Sequence, residues 1–316
     1  MNNSKDNSLF LVILSFAAVY IIWGSTYLFI AITVESIPPF ILAAIRFTLA
    51  ATLLFSLIAI LRKYQSITKL QFRNAAFAGV LFLGFGTGGV AWALQFVDSG
   101  FTSLIISGQP LIVVLMMWGF YNDRPANQAF VGILLGMFGM YLLVNQKELV
   151  TDPAQWKGIL AIFCCMVAWG FGSIFVSKAD LPKPQMANNG IQMISGGIAL
   201  FFFSLCFENP LTFDFQAVPF KAWLALSYLI VFGAVVAFSA FNYLLTKVSP
   251  EKVATSTYIN PIIALILGWF FRDELITTQS IMAACIMFTG VFFINSTPEQ
   301  SKKLFRRLKL VGRRRV

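Results

Sequence analysis

The sequence predicts an all-α integral membrane protein in which ten transmembrane helices form two inverted five-helix repeats. Three observations carry that expectation. Hydrophobic residues make up 58% of the 316-residue chain and charged residues only 11%, against roughly 45–50% and about 25% in soluble domains. Ten largely apolar windows approach the ~20 residues a helix needs to cross a bilayer. The chain also repeats itself: VYIIWGSTYLFI around Trp23 returns as MVAWGFGSIFV around Trp169, 146 residues on, and Gln109-Pro110 returns as Asn260-Pro261, 151 residues on. Eight residues past each proline stands a tryptophan, Trp118 and Trp269. Because five is odd, the second copy enters the membrane upside down relative to the first.

The first repeat, residues 9–144, places its spans at 9–30, 39–61, 74–96, 102–120 and 128–144. The opening span has only Lys5 ahead of it and further spans behind it, so it reads as a retained helix rather than a cleaved secretory signal. In the third span the run Gly84, Gly86, Gly88, Gly89 marks a flexible or closely packed helix. The fourth sets the amide of Gln109 beside a helix break at Pro110, since proline removes a backbone bond and frees carbonyls. The fifth is short and carries Gly132, Gly136 and Gly139, small residues that let helices approach closely in lipid.

Residues 145–157 form a linker outside, and the second repeat, 158–295, has spans at 158–177, 186–207, 220–245, 253–271 and 278–295. The sixth carries Trp169 and Ser173, the seventh Asn188, Gln192 and Ser195 on one face, the eighth Asn242 and Tyr243, and the ninth Tyr258 with Asn260 and a second expected helix break at Pro261. Ala283, Ala284 and Gly290 give the tenth a small face matching the fifth. Such faces favour packing within one chain over a dimer seam, and both monomer and homodimer stay open. The shift of offset from 146 to 151 puts about five inserted residues in the connection 208–219.

Lys and Arg set the orientation, because they favour cytoplasmic loops. With residues 1–8 inside, 18 basic residues fall in inner segments, four in outer ones (Lys147, Lys157, Lys221, Arg272), and Arg46 lies within a span. Both termini are therefore expected in the cytoplasm. The net charge of +10 is largely topology: eight basic residues sit in the tail 296–316, a segment that either lies on the anionic inner leaflet as a short amphipathic helix or is a disordered anchor. The bilayer and a small-molecule solute are the expected partners, and no nucleic acid is required. Cys164, Cys165, Cys206 and Cys285 all fall in spans without disulfide or metal spacing, so they read as packing residues.

Charged groups at bilayer depth are costly and point to function. Arg46 lies seven residues into the second span, roughly 10 Å along the axis. It either receives an anionic group of a solute, pairs with Glu35, or is a structural arginine that snorkels or bonds helix-end carbonyls. Its counterpart in the repeat is neutral Gln192. No Asp or Glu lies mid-span and the chain has no His, which removes a buried proton relay of the common kind, a Ser-His triad and His-ligated zinc. Proton coupling would fall to an edge residue such as Glu35 or Asp98. Asp123, Asp273 and Glu274 sit at span ends as helix-terminal or loop charges. No cofactor or metal is expected; a non-enzymatic transporter is the first expectation, with a solute facilitator or importer, a channel and, last, an intramembrane enzyme as alternatives. Trp23, Thr26 and Tyr27 share one face of the first span. With Arg46, Gln109, Trp169, Gln192, Tyr258 and Asn260 they are expected to line a largely neutral, aromatic-walled cavity near the midplane. Inverted repeats around such a cavity are the architecture of secondary transporters.

Trp23-Gly24-Ser25-Thr26-Tyr27, the Ile37-Pro38-Pro39 turn and Arg46-Phe47 resemble the opening of an EamA domain of the drug/metabolite transporter superfamily. Pro110 with Asp123, and Pro261 with Gly268 and Glu274, resemble the closing segments of two such domains. The resemblance covers nearly the whole chain and rests on the order and doubling of these features. It implies an inner-membrane exporter of amino acids, related metabolites or drugs, with the fifth and tenth spans packed away from a central cavity. Four-helix multidrug relatives use a buried glutamate that nothing here matches, which places cationic-drug antiport in doubt.

Overall fold

A long apolar run in lipid must satisfy its own backbone, and the helix does so within the segment. The computed structural model describes residues 3–63, 65–122, 124–125, 127–146, 152–176, 178–247 and 256–295, and no strand occurs among them. In chain order its apolar helices are α1 (Leu9–Val34), α2 (Pro39–Ile60), α3 (Lys69–Ala93), α4 (Ser99–Phe120), α5 (Gln128–Val144), α6 (Pro153–Val176), α7 (Gln185–Phe207), α8 (Phe220–Leu244), α9 (Ile259–Arg272) and α10 (Thr278–Ile294). Seven are long and apolar enough to cross a membrane, whereas α5, α9 and α10 are shorter. The expected tail 296–316 and Asp123 lie outside the described residues.

Where helix ends differ from the apolar windows, polar capping explains it. The third helix begins at Lys69, ahead of its apolar run, because Thr68 and Gln71 form a reciprocal capping box with both bonds at 3.2 Å. Within the helices, π-helical turns occupy Val19–Trp23 of α1, Val80–Thr87 of α3 and Leu229–Val236 of α8. The latter two fall in helices of equal rank in the two halves. The fourth helix is interrupted by a turn at Ser107-Gly108, and Pro110 opens the helix that follows, where its missing N–H costs nothing. The counterpart Pro261 departs from the expected break: it lies inside a helix that continues from Ser256 to Arg272.

The contacts respect the doubling. Helices α2 and α7, α4 and α9, and α5 and α10 pack as matched pairs. The other main contacts come with their images: α1 on α8 with α6 on α3, α1 on α9 with α6 on α4, and α3 on α7 with α8 on α2. Exchanging the halves therefore reproduces the main contacts, although α1 also packs on α4 without an equal contact of α6 on α9 among the described residues. Small residues make this possible, since a Cβ at Gly132 would stand 2.4 Å from the Gly290 carbonyl and one at Gly139 3.0 Å from that of Ala283. The small faces of α5 and α10 thus meet each other within one chain. Of the cysteines only Cys165 is buried, and Cys164, Cys206 and Cys285 are exposed, which corrects their reading as packing residues.

Candidate functional site

Three of the expected residues converge on a glycine that the sequence did not single out. Trp23 donates its Nε1–H to the carbonyl of Gly233 at 3.3 Å. A Cβ at Gly233 would come within 2.9 Å of Arg46 Nη2 and 3.0 Å of Thr26 Cγ2. Arg46, on α2, is 4% exposed, and its Nε has no hydrogen-bond partner. Its guanidinium carbon lies 4.9 Å from the centre of the Phe47 ring. The expected alternative pairing with Glu35 is not formed, because Glu35 pairs with Arg272 at the end of α9. Gly233 belongs to the π-helical stretch of α8, and π-turns inside α-helices recur at functional sites. The glycine run of α3 offered that signal in the sequence, and α8 carries it with a single glycine.

The remaining expected residues are held as follows. The hydroxyl of Thr26 donates to the carbonyl of Trp23 at 2.7 Å. Tyr27, half-buried, packs instead against a small core that includes Ile30, Val90, Leu94 and Leu229. On α6, Trp169 packs on Phe82 with ring centres 4.7 Å apart and lies so close to Gly86 that a Cβ there would be 2.2 Å from its Nε1. Trp23 and Trp169 flank one hydrophobic core formed mainly by α2, α7 and α8. Gln109 donates to the Met166 carbonyl on α6 at 2.9 Å. Gln192 is buried on α7 and donates to Asn188 at 3.2 Å. Asn260 is buried, with its carbonyl 3.2 Å from where a Cβ at Gly24 would sit. The side chain of Tyr258 lies outside the described residues. Trp118 and Trp269 are exposed, in keeping with an interfacial belt.

Two further polar clusters stand out. On α7 it is Asn189, not its neighbour Asn188, that is completely buried: its Oδ1 accepts from Asn242 at 2.7 Å and its Nδ2 has no partner. It lines a cavity of about 370 Å³ with Ser15 of α1, Gln185 of α7 and Ser239 and Tyr243 of α8. At the opposite end of the helices, Glu274 accepts from Ser99 N at 3.0 Å, Ser99 Oγ at 2.6 Å and Gly100 N at 2.9 Å. Arg272 joins it there, its Nε 3.5 Å from Glu274 Oε1. Partial burial and then the Glu274 carboxylate push the Asp98 carboxyl above its ordinary range, with Arg272 working in the opposite direction. Glu274 is therefore the helix-terminal charge expected of it, seated on the N-terminus of α4.

Comparison with known proteins assigns this architecture. The chain matches the EamA-like transporter family twice, over residues 10–145 and 156–296. It is 33% identical over 279 residues to the Escherichia coli (strain K12) inner membrane transporter YedA, covering 88% of each chain. It is 26% identical over 298 residues to the Bacillus subtilis (strain 168) transporter YoaV, covering 92% of this chain and 99% of that one. A crystal structure of a protein 18% identical to it has the same fold, with a TM-score of 0.63 over 94% of this chain and 98% of the other. With both halves matched separately, and with apolar helices throughout, the chain belongs to the EamA-like transporter family of the drug/metabolite transporter superfamily and is a multi-pass membrane transporter.

Proposed function

We propose that the protein is an alternating-access carrier that exports small organic solutes such as amino acids, related metabolites or drugs across the inner membrane. In this reading all ten apolar helices span, the two halves are inverted copies, and both termini lie in the cytoplasm. The observation that carries it is that the main helix contacts recur when the halves are exchanged. An inverted pair of equivalent halves has two equivalent ways to rock about a central site, one open to each side. The solute site is formed by Trp23, Thr26, Tyr27 and Arg46 from the first half with Gln192 and Asn260 from the second, flanked by Gln109 and Trp169.

In this orientation the Glu35–Arg272 pair lies on the outer side, where it ties the end of α1 to the end of α9. Opening outward requires that tie to part. The double variant Glu35→Cys, Arg272→Cys is expected to lose most solute flux in proteoliposomes on oxidation and to recover it on reduction, with each single variant insensitive. Flux that persists through complete crosslinking would remove the alternating-access reading, and flux that never saturates with solute concentration would indicate a channel.

A further inference from the structure

Arg46 breaks the rule that a buried charge carries its partner with it. Among the described residues no carboxylate lies within ion-pair distance of it, and none of its nitrogens forms a hydrogen bond. Glu35 is committed to Arg272, and Glu208 and Glu274 are committed to the N-termini of α2 and α4. A structural arginine in a membrane snorkels to the interface or bonds free carbonyls. This one is 4% exposed and does neither. What surrounds it is apolar or small: the Phe47 ring beneath the guanidinium, the Thr26 methyl, and the bare α-carbon of Gly233 held under Trp23.

We infer that Arg46 is the anion-receiving centre of the solute site, and that the solute is an organic monocarboxylate with an apolar body seated beside Gly233. The charge count argues for a monoanion. A single buried cation neutralises one carboxylate, whereas a phosphate dianion would keep an uncompensated charge in apolar surroundings. A carboxylate also matches the planar fork of the guanidinium, which can offer two parallel donors. Gly233 is the specificity-determining position, because any side chain there meets Arg46 Nη2 at 2.9 Å and would displace the headgroup that the carboxylate must reach. The assignment deepens the carrier reading and rests on it for the route across the membrane, though not for binding.

Thermal unfolding of the full chain in nanodiscs, titrated with phenylacetate and with its neutral analogue phenylacetamide, tests it. Phenylacetate is expected to raise the melting temperature of the wild type and phenylacetamide to leave it unchanged. Arg46→Met and Arg46→Gln should abolish the acid response, and each should melt higher than the wild type without ligand, because an unpaired buried charge has been removed. Gly233→Ala should weaken the apparent affinity for phenylacetate about tenfold or more. A wild type that does not prefer the acid to the amide, including one that responds to neither, overturns the proposal. So does an Arg46 variant that keeps the acid response, or one that fails to fold or melts lower without ligand, which marks a structural arginine. Acid-selective binding lost in Arg46→Met with no flux in vesicles would keep the site and remove the carrier, and saturable flux indifferent to Arg46→Met would do the reverse.

Discussion

Glycine and aspartate show how finely single residues are constrained. A Cβ at Gly79 would stand 2.1 Å from the Gln192 carbonyl and 2.4 Å from Ser195 Oγ, so α3 and α7 touch backbone to backbone there. Gly79→Ala is expected to destabilise the protein by about 1–3 kcal/mol through overpacking. Gly119 has open space where its Cβ would be, and Gly119→Ala should instead gain up to about 1 kcal/mol of helix propensity. Melting temperatures of the two purified variants should therefore move in opposite directions. Asp98 makes a prediction in pH. Its folded-state affinity for a proton is raised by burial and by Glu274, so between its ordinary and its raised pKa the native state binds more protons than the unfolded state. Stability then falls as pH rises through that window. Asp98→Asn should flatten that part of the pH–stability curve and melt higher than the wild type at neutral pH.

At the scale of elements, Glu208 and Glu274 are helix terminators that reach across to another helix. The first amides of a helix have no intrahelical acceptor. Glu208, one residue past α7, takes those of Phe40 and Ile41 at the start of α2, both at 2.8 Å. Glu274, just past α9, does the same for α4. Each carboxylate thus caps the helix that pairs with its own, α2 with α7 and α4 with α9. Three buried donors, the Ser99 and Gly100 amides and the Ser99 hydroxyl, lose their acceptor in Glu274→Ala, at about 1–3 kcal/mol for each left unsatisfied. The half-buried Glu208→Ala should cost about 1–2 kcal/mol. Denaturation of both variants should show the larger loss for Glu274→Ala, and equal losses would contradict this account of the capping.

For the whole molecule, the pairing of halves explains why the chain is long in helix and short in loop. Neither half closes a core alone: α2 and α8 share one core with α7, and α4, α5, α6 and α10 share another. Both cores draw on both repeats, so the halves fold into one another rather than beside one another. That interlocking also gives the outer Glu35–Arg272 tie its leverage, since it joins chain segments 237 residues apart in sequence. The expected redox sensitivity of the 35/272 double cysteine variant belongs to this scale, because it reads a relative movement of halves rather than the loss of a side chain.

Local information was enough to place the helices. Apolar runs, the break at Pro110 and the echo of Trp23 in Trp169 are all properties of short segments, and hydropathy and periodicity act within such segments. The doubling of the fold and the isolation of Arg46 among neutral spans were legible for the same reason. The capping box of Thr68 with Gln71, which starts α3 ahead of its apolar run, was not read from them. What the segments do not contain is which helix crosses which, and side-chain partners follow from the crossings. Glu35 reached Arg272 rather than Arg46, Asn189 rather than Asn188 turned inward to meet Asn242, and α9 continued through Pro261. Tertiary packing alone brought Trp23, Thr26 and Arg46 to Gly233, because a glycine acquires meaning only when another helix approaches it. The sequence by itself determined a doubled helical membrane transporter with one charge in its interior. The tertiary structure decided that this charge has no partner of its own, since packing gave Glu35 to Arg272 and set Glu208 and Glu274 on free helix N-termini instead.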